Sequence, residues 1–443
     1  MEGTTFFIKK YDISSISNFI KLNNKTIENN SIDINTLKLN KILYTTKNNK
    51  EYKIIRYDKN YLSVDLIPTQ GLFRSVIVNS ENLVVGFSPP KMYSYETFIS
   101  KYPITYNCII AEEFVEGTMI NVFWDNTIGL HGAWEIATRN SVGCELIFVA
   151  ANKSVKILPN DKTFRSMFLE AAAAINLNIN NLNPEICYSF ILQHPNICTI
   201  CPFIVPQLYL IEMYYIQNNY GNTSGQIIVF PINIYPDMKF EYTWINTTIK
   251  FPEIYAEYTT ASEIGVNYKY LKNKYASMNT SYNITGVVIR NKLTNDRCKI
   301  RNPNYEYVKS IRGSQPKLQY QYLCLRQQGK VHDFLTFYPE NKKEFSFFRN
   351  NLHTFTNTLY QNYVSCYIRK EKNISDFPEP YRNHMIKIHQ IYMSDLKPIE
   401  QHTTNTVVIN YVNKLHPHLQ MYNLNYSTKK RYIDFIKSET AIS

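Results

Sequence analysis

Glycine is scarce in this chain, with 13 residues among 443, far below the roughly 7% of ordinary proteins. Collagen-like repeats, glycine-rich linkers and architectures built on glycine-rich dinucleotide loops are excluded on that ground. Charged residues are also few, 19% against 44% hydrophobic, which rules out wholesale disorder and leaves ample apolar side chains for a packed core. No run reaches the ~18 uninterrupted apolar residues that a membrane helix needs. The opening Met1-Glu2-Gly3-Thr4-Thr5 lacks the basic, apolar and small-residue series of a signal peptide. Cysteines stand at 108, 144, 187, 198, 201, 298, 324 and 366, too sparse for a disulfide framework in so long a chain. A reducing compartment with mostly buried, inert thiols is expected, in a protein neither secreted nor held in a membrane.

Aromatic residues and positive charge are plentiful: Tyr 36, Phe 24 and a net charge of +12. The charge is unevenly spread. Residues 297–443 hold 22 Lys+Arg against 11 Asp+Glu, whereas residues 1–296 hold 26 against 25. A basic region of this size concentrates polyanions around itself, nucleic acid above all. Aromatics interleave with the cations, as in Arg301, Tyr305, Tyr307, Lys309 and Arg312, then Lys317, Tyr320, Tyr322 and Arg326. That mixture suits phosphate contact with base stacking. A lysine-rich surface that only keeps the chain in solution is the competing reading.

The length suits about two to three domains. Residues 1–50 read as a polar leader. From residue 51 onward, short runs rich in β-branched and aromatic residues predict strands at 53–57, 73–78, 83–87, 108–111, 119–124 and 134–138. An amphipathic helix is expected at about 162–175, capped by Asp161, before strands resume at 186–193, 207–216, 226–230 and 285–290. After Arg301 the apolar period becomes helical. Phe348, Leu352, Phe355, Leu359 and Tyr363 form one stripe, Tyr381, Met385, Ile388 and Tyr392 a second, and Val408, Tyr411, Val412 and Leu415 a third; core seams are expected of all three. The fold class is α+β.

Six segments carry chemistry in a fixed order. Phe73-Arg74-Ser75 precedes a hairpin and Pro89-Pro90-Lys91-Met92-Tyr93. Glu113-Phe114-Val115-Glu116-Gly117-Thr118 follows, then Trp134-Glu135-Ile136-Ala137-Thr138-Arg139. Tyr188-Ser189-Phe190 comes next, with His194-Pro195-Asn196 close behind. The series closes on Thr285-Gly286-Val287-Val288-Ile289-Arg290 and Lys299-Ile300-Arg301. Over roughly residues 50–310 this resembles the nucleotidyltransferase domain of ATP-dependent RNA ligases of the phage-type RNA ligase 1 family. More closely, the chain is similar to the RNA ligase-like proteins of nucleocytoplasmic large DNA viruses, asfarvirus type. There Gln315–Tyr320 and His384–Tyr392 also take part in the match.

The resemblance implies a nucleotidyltransferase (ATP-grasp-like ligase) domain of antiparallel β over 51–303 and a basic all-α domain over 304–443. In such ligases a lysine attacks the α-phosphate of ATP and expels pyrophosphate, AMP passes to an RNA 5′-phosphate, and a 3′-hydroxyl then attacks that phosphate and displaces AMP. ATP and Mg²⁺ or Mn²⁺ are implied as cofactors. RNA is the implied partner, with DNA and viral transcription or core proteins as further possibilities, in host cytoplasm and virion. The residues implied to bind nucleotide are Arg74, Lys91, Tyr93, Glu116, Gly117, Arg139, Lys299 and Arg301. Arg312, Lys317, Arg326 and Lys387 are expected to bind nucleic acid.

Three departures matter. Phe114 stands where the family has its nucleophilic lysine, and Ser189 and Thr285 stand where it has carboxylates. A phenyl ring forms no phosphoramidate, and a hydroxyl is a poor ligand for a hard divalent ion. Self-adenylylation by the ordinary route is therefore not expected. A displaced amine, Lys299 or Lys91, is the one catalytic substitute, and a silent nucleic-acid-binding or scaffold module is the alternative. Cys198-Thr199-Ile200-Cys201 lacks a second Cys pair, so zinc is not expected. Lys429-Lys430-Arg431 is a short basic cluster, a localisation signal, a phosphate patch or a solvated tail.

Overall fold

The computed structural model describes residues 9–14, 39–103, 108–146, 162–197, 200, 202–219, 226–232, 234, 247–255, 268–313, 315, 317–426 and 430. The chain separates into two compact units, Met1–Phe148 with Ile157–Tyr307, and Val149–Lys156 with Val308–Ser443. The class is mixed α+β, with antiparallel sheets in the first unit and helices in the second.

The first unit contains strands β1 (Tyr11–Asp12), β2 (Leu39–Thr45), β3 (Glu51–Tyr57), β4 (Val76–Val78), β5 (Val84–Phe87), β6 (Ile109–Glu113), β7 (Thr118–Asp125), β8 (Ala133–Ala137), β9 (Ile186–Gln193), β10 (Gln207–Asn219), β11 (Gln226–Ile232), β12 (Gly286–Asn291) and β13 (Arg297–Arg301), with helices α1 (Tyr95–Lys101), α2 (Phe164–Ala174) and α3 (Tyr268–Tyr275). They form a six-stranded sheet in the order β1-β11-β10-β9-β7-β8, a three-stranded sheet β13-β12-β6 and a four-stranded sheet β2-β3-β4-β5. β1 and β2 lie inside the segment expected to be a polar leader, so parts of that segment belong to the sheets. Strand 73–78 starts only at Val76, because a 3-10 turn at Gln70–Leu72 occupies the approach. Helix α2 is capped by Thr163, whose hydroxyl accepts from the Ser166 amide at 3.1 Å. Asp161, the expected cap, lies outside the described residues.

The three-stranded sheet has two chemically different faces. Ile109 and Ala111 of β6, Val287 and Ile289 of β12, and Cys298 and Ile300 of β13 join one apolar cluster with Phe98 and Leu271. The period-2 alternation of a strand sends Glu112, Arg290, Arg297, Lys299 and Arg301 to the other face. Two further clusters fill the unit: one gathers Phe73, Val76, Phe87, Phe123 and Tyr214, the other packs Met167, Phe168 and Ala171 of α2 on Phe190, Leu208 and Leu210.

The second unit begins inside helix α4 (Pro303–Arg312) and continues through α5 (Leu318–Gln327), α6 (Val331–Phe337), α7 (Lys342–Tyr363), α8 (Glu379–Ile391), α9 (Asn405–Lys414) and α10 (Pro417–Leu424). The 22-residue α7 is its centre, touched by α5, α8, α9 and α10. Its buried stripe is Phe345, Leu352, Phe355, Leu359 and Tyr363, with Phe345 in the place expected of the half-buried Phe348. Met385 and Ile388 of α8 and Val408 and Val412 of α9 are buried as their spacing predicts. No helix among the described residues is long and apolar enough to cross a membrane.

Candidate functional site

Phe114–Gly117 links β6 to β7 and so joins the three-stranded sheet to the six-stranded one. Gly117 has φ +146°, and a Cβ there would stand 2.5 Å from Ile191 Cγ2 and 2.6 Å from Leu192 O. Gly286, opposite Arg301 in the β12–β13 ladder, has φ +136° and leaves only 2.0 Å between an added Cβ and Ile300 O. Both positions demand glycine because the backbone is left-handed and the neighbouring strand sits where a side chain would go. Glu116 is fixed in turn: its Oε1 accepts from the Tyr305 hydroxyl at 2.9 Å and the Ile200 amide at 3.3 Å.

The expected cations converge. The Arg139 Nε donates to Arg74 O at 3.3 Å, and the Arg139 guanidinium lies 5.2 Å from the centre of the Tyr57 ring. Burial pushes the Lys91 ammonium pKa down, and Arg74, Arg139, Arg301 and Lys59 push it further in the same direction. Burial likewise lowers Arg74, opposed by Tyr57 but reinforced by Arg297 and Arg139. Such mutual repulsion means that these groups share one positive field. Among the described residues, no carboxylate lies within ion-pair distance of Arg74, Lys91 or Arg139, whereas Arg301 pairs with Glu306. Lys299 Nζ stands 5.5 Å over the Phe114 ring, so the two face each other as a cation–π pair. Tyr93 is buried at the edge of the group, with Lys101 Nζ 4.9 Å from its ring centre.

Beneath these cations lies a charge network that motif reading overlooked. Arg290 bonds Glu212 and, through Nη2, Glu112 at 3.0 Å. Arg297 Nη1 reaches the same Glu212 oxygen at 3.2 Å, and Asn295 Oδ1 accepts from Arg290 at 2.7 Å. All are buried. A bulge at Ile211 in β10 shifts the register between Leu210 and Glu212 and aims that carboxylate into the network. The available signal was the alternation in β13, which places Arg297 in phase with Lys299 and Arg301.

The donor set does not fit a divalent metal. Ser189 is fully buried, and its hydroxyl is 2.8 Å from Asn121 Oδ1, whose amide nitrogen is 2.7 Å from Ser88 Oγ. The carboxylate directly across the ladder from Ser189 is Glu212, already neutralised by two arginines. No group of three or more His, Cys, Asp or Glu able to hold an ion occurs among the described residues. Cys198 and Cys201 lie outside those residues. His194 is buried, 2.9 Å from Glu170 and accepting from the Asn196 amide.

In the second unit the expected nucleic-acid residues are not gathered on one face. Lys317 precedes α5 and Arg326 ends it, two and a half turns apart at 3.6 residues per turn. Arg312 is half-buried at the end of α4, and Lys387 is exposed on α8. His384 is a core residue: it meets the Tyr411 hydroxyl and the Asn423 amide, both at 2.7 Å, and burial lowers its pKa. Lys429 and Arg431 lie outside the described residues. Neither a protein-family model nor a curated protein sequence matches this chain.

Proposed function

We propose that this protein is an RNA ligase-like module that binds the phosphorylated ends of RNA without transferring AMP through Phe114. The observation that carries the reading is the convergence of Arg74, Lys91 and Arg139, cations without a carboxylate partner among the described residues, with Arg139 lowering both Arg74 and Lys91 and Arg74 lowering Lys91. Groups held together against their own repulsion are stabilised by an arriving anion, and phosphate offers both the charge and the acceptor oxygens. Lys299 and Arg301, in phase on β13, extend the positive face. ATP enters this reading only as a polyphosphate that the same cations would hold; the chain's own residues bind and orient phosphate, and no step is routed through a metal.

The test is binding of single-stranded RNA with a 5′-phosphate or a 5′-hydroxyl. The phosphorylated strand binds about tenfold more tightly, and Lys91→Ala removes most of that difference. Equal affinity for the two ends refutes the reading.

One observation favours a catalytic alternative: the lowered Lys91 pKa enlarges its fraction of free amine, the form that attacks phosphorus. Incubation with α-labelled ATP and Mn²⁺ separates the two. A silent protein stays unlabelled, whereas a label lost on Lys91→Ala but kept on Lys299→Ala assigns the nucleophile to Lys91.

A further inference from the structure

The α5–α10 seam of the second unit joins Tyr320 to two histidines in a row of rings. Tyr320 on α5 and His418 on α10 lie 4.4 Å apart between ring centres at an interplanar angle of 33°. His418 and His416 follow at 5.3 Å and 14°. Both histidines are exposed and Tyr320 is half-exposed. His416 is the N-cap of α10, its Nδ1 accepting from the His418 amide at 3.3 Å, so the last ring is held by a backbone hydrogen bond. The seam itself is pinned. Gln327 Nε2 donates to Asn413 O at 3.1 Å and Leu415 O at 2.6 Å, and Asn425 Nδ2 donates to Gln319 Oε1 at 2.7 Å.

Beside the ladder runs an open groove lined by Arg326, Gln327, Asn413 and Lys414. Tyr320 and Gln327, seven residues apart, share a face of α5, which places ladder and groove on one surface. The two described stretches that build this surface, residues 317–332 and 401–426, contain no aspartate or glutamate. A groove lined by two cations beside a pinned aromatic row matches a strand with phosphates on one side and unpaired bases on the other.

We infer that this seam is a binding site for single-stranded nucleic acid, with Arg326 and Lys414 on the phosphates and Tyr320, His418 and His416 under the bases. The site lies wholly within the second unit and is separate from the proposed binding of phosphorylated ends.

Its test uses the full chain and fluorescent 5′-hydroxyl strands of twelve nucleotides: oligouridylate, oligodeoxythymidylate and an abasic strand of the same phosphate count. The base-bearing strands bind at least tenfold more tightly than the abasic one, and the tighter of the two names RNA or DNA as the ligand. His418→Ala and Tyr320→Ala each weaken binding about tenfold with the salt slope unchanged. Arg326→Ala combined with Lys414→Ala flattens that slope by about 1.4. Should Tyr320→Ala fail to fold, His418→Ala, at an exposed ring, still decides. Equal binding of the abasic strand, or wild-type affinity in His418→Ala, overturns the inference. Since no strand here carries a 5′-phosphate, failure at this seam leaves the proposal for the first unit standing.

Discussion

At the scale of single residues, Phe114, Ser189 and Thr285 stand where the RNA ligases that the sequence resembles carry an amine and two carboxylates, and the first two are occupied by neighbours. Lys299 covers the Phe114 ring, and the Ser189 hydroxyl is spent on Asn121. Phe114→Lys alone therefore stays unlabelled by α-labelled ATP; appearance of a covalent AMP adduct would show that the lost amine was the only defect. Gly286→Ala forces a Cβ onto Ile300 O and costs about 2–3 kcal/mol, read as a lowered midpoint in urea. Arg290→Met leaves Glu112 and Glu212 buried with fewer partners and costs about 3–5 kcal/mol. A loss below about 1 kcal/mol would show that the network is not structural.

At the scale of elements, most strands and the three helical stripes were legible because alternation and the 3.6 period record burial directly. The polar face of β13 was legible in the same way, yet only half of its meaning was. Motif spacing pointed to Lys299 and Arg301, whereas Arg297 and Arg290 depend on Glu212, 78 residues from Arg290 in the chain and aimed by a bulge that no local pattern announces. The ladder of Tyr320, His418 and His416 was invisible for the same reason, since α5 and α10 are remote in sequence. His384 lies on a basic helix, yet its bonds to Tyr411 and Asn423 make it core. That has a consequence for pH. Its folded pKa is depressed, so the unfolded chain binds the proton first, and the stability contributed is present above the unfolded value of roughly 6.5 and lost as pH falls below it. Thermal midpoints of the full chain drop between pH 7 and pH 5, and His384→Gln, neutral at both, shows a smaller drop; an unchanged drop would remove His384 as its cause.

At the scale of the whole molecule, the uneven charge of the sequence acquires two physical addresses. In the first unit, near neutral in sum, the fold brings Arg74, Lys91 and Arg139 from separate loops into one group. In the second, an acid-free pair of stretches builds a groove with rings beside it. On the proposed function, binding to RNA is salt-dependent, and end recognition separates from strand recognition by mutation. The most direct test of the central claim is the affinity ratio between 5′-phosphorylated and 5′-hydroxyl RNA for the wild type and for Arg74→Ala with Lys91→Ala. A ratio near ten that collapses to about one in the double variant is the predicted result. A wild-type ratio of one, or a ratio indifferent to both substitutions, would contradict it.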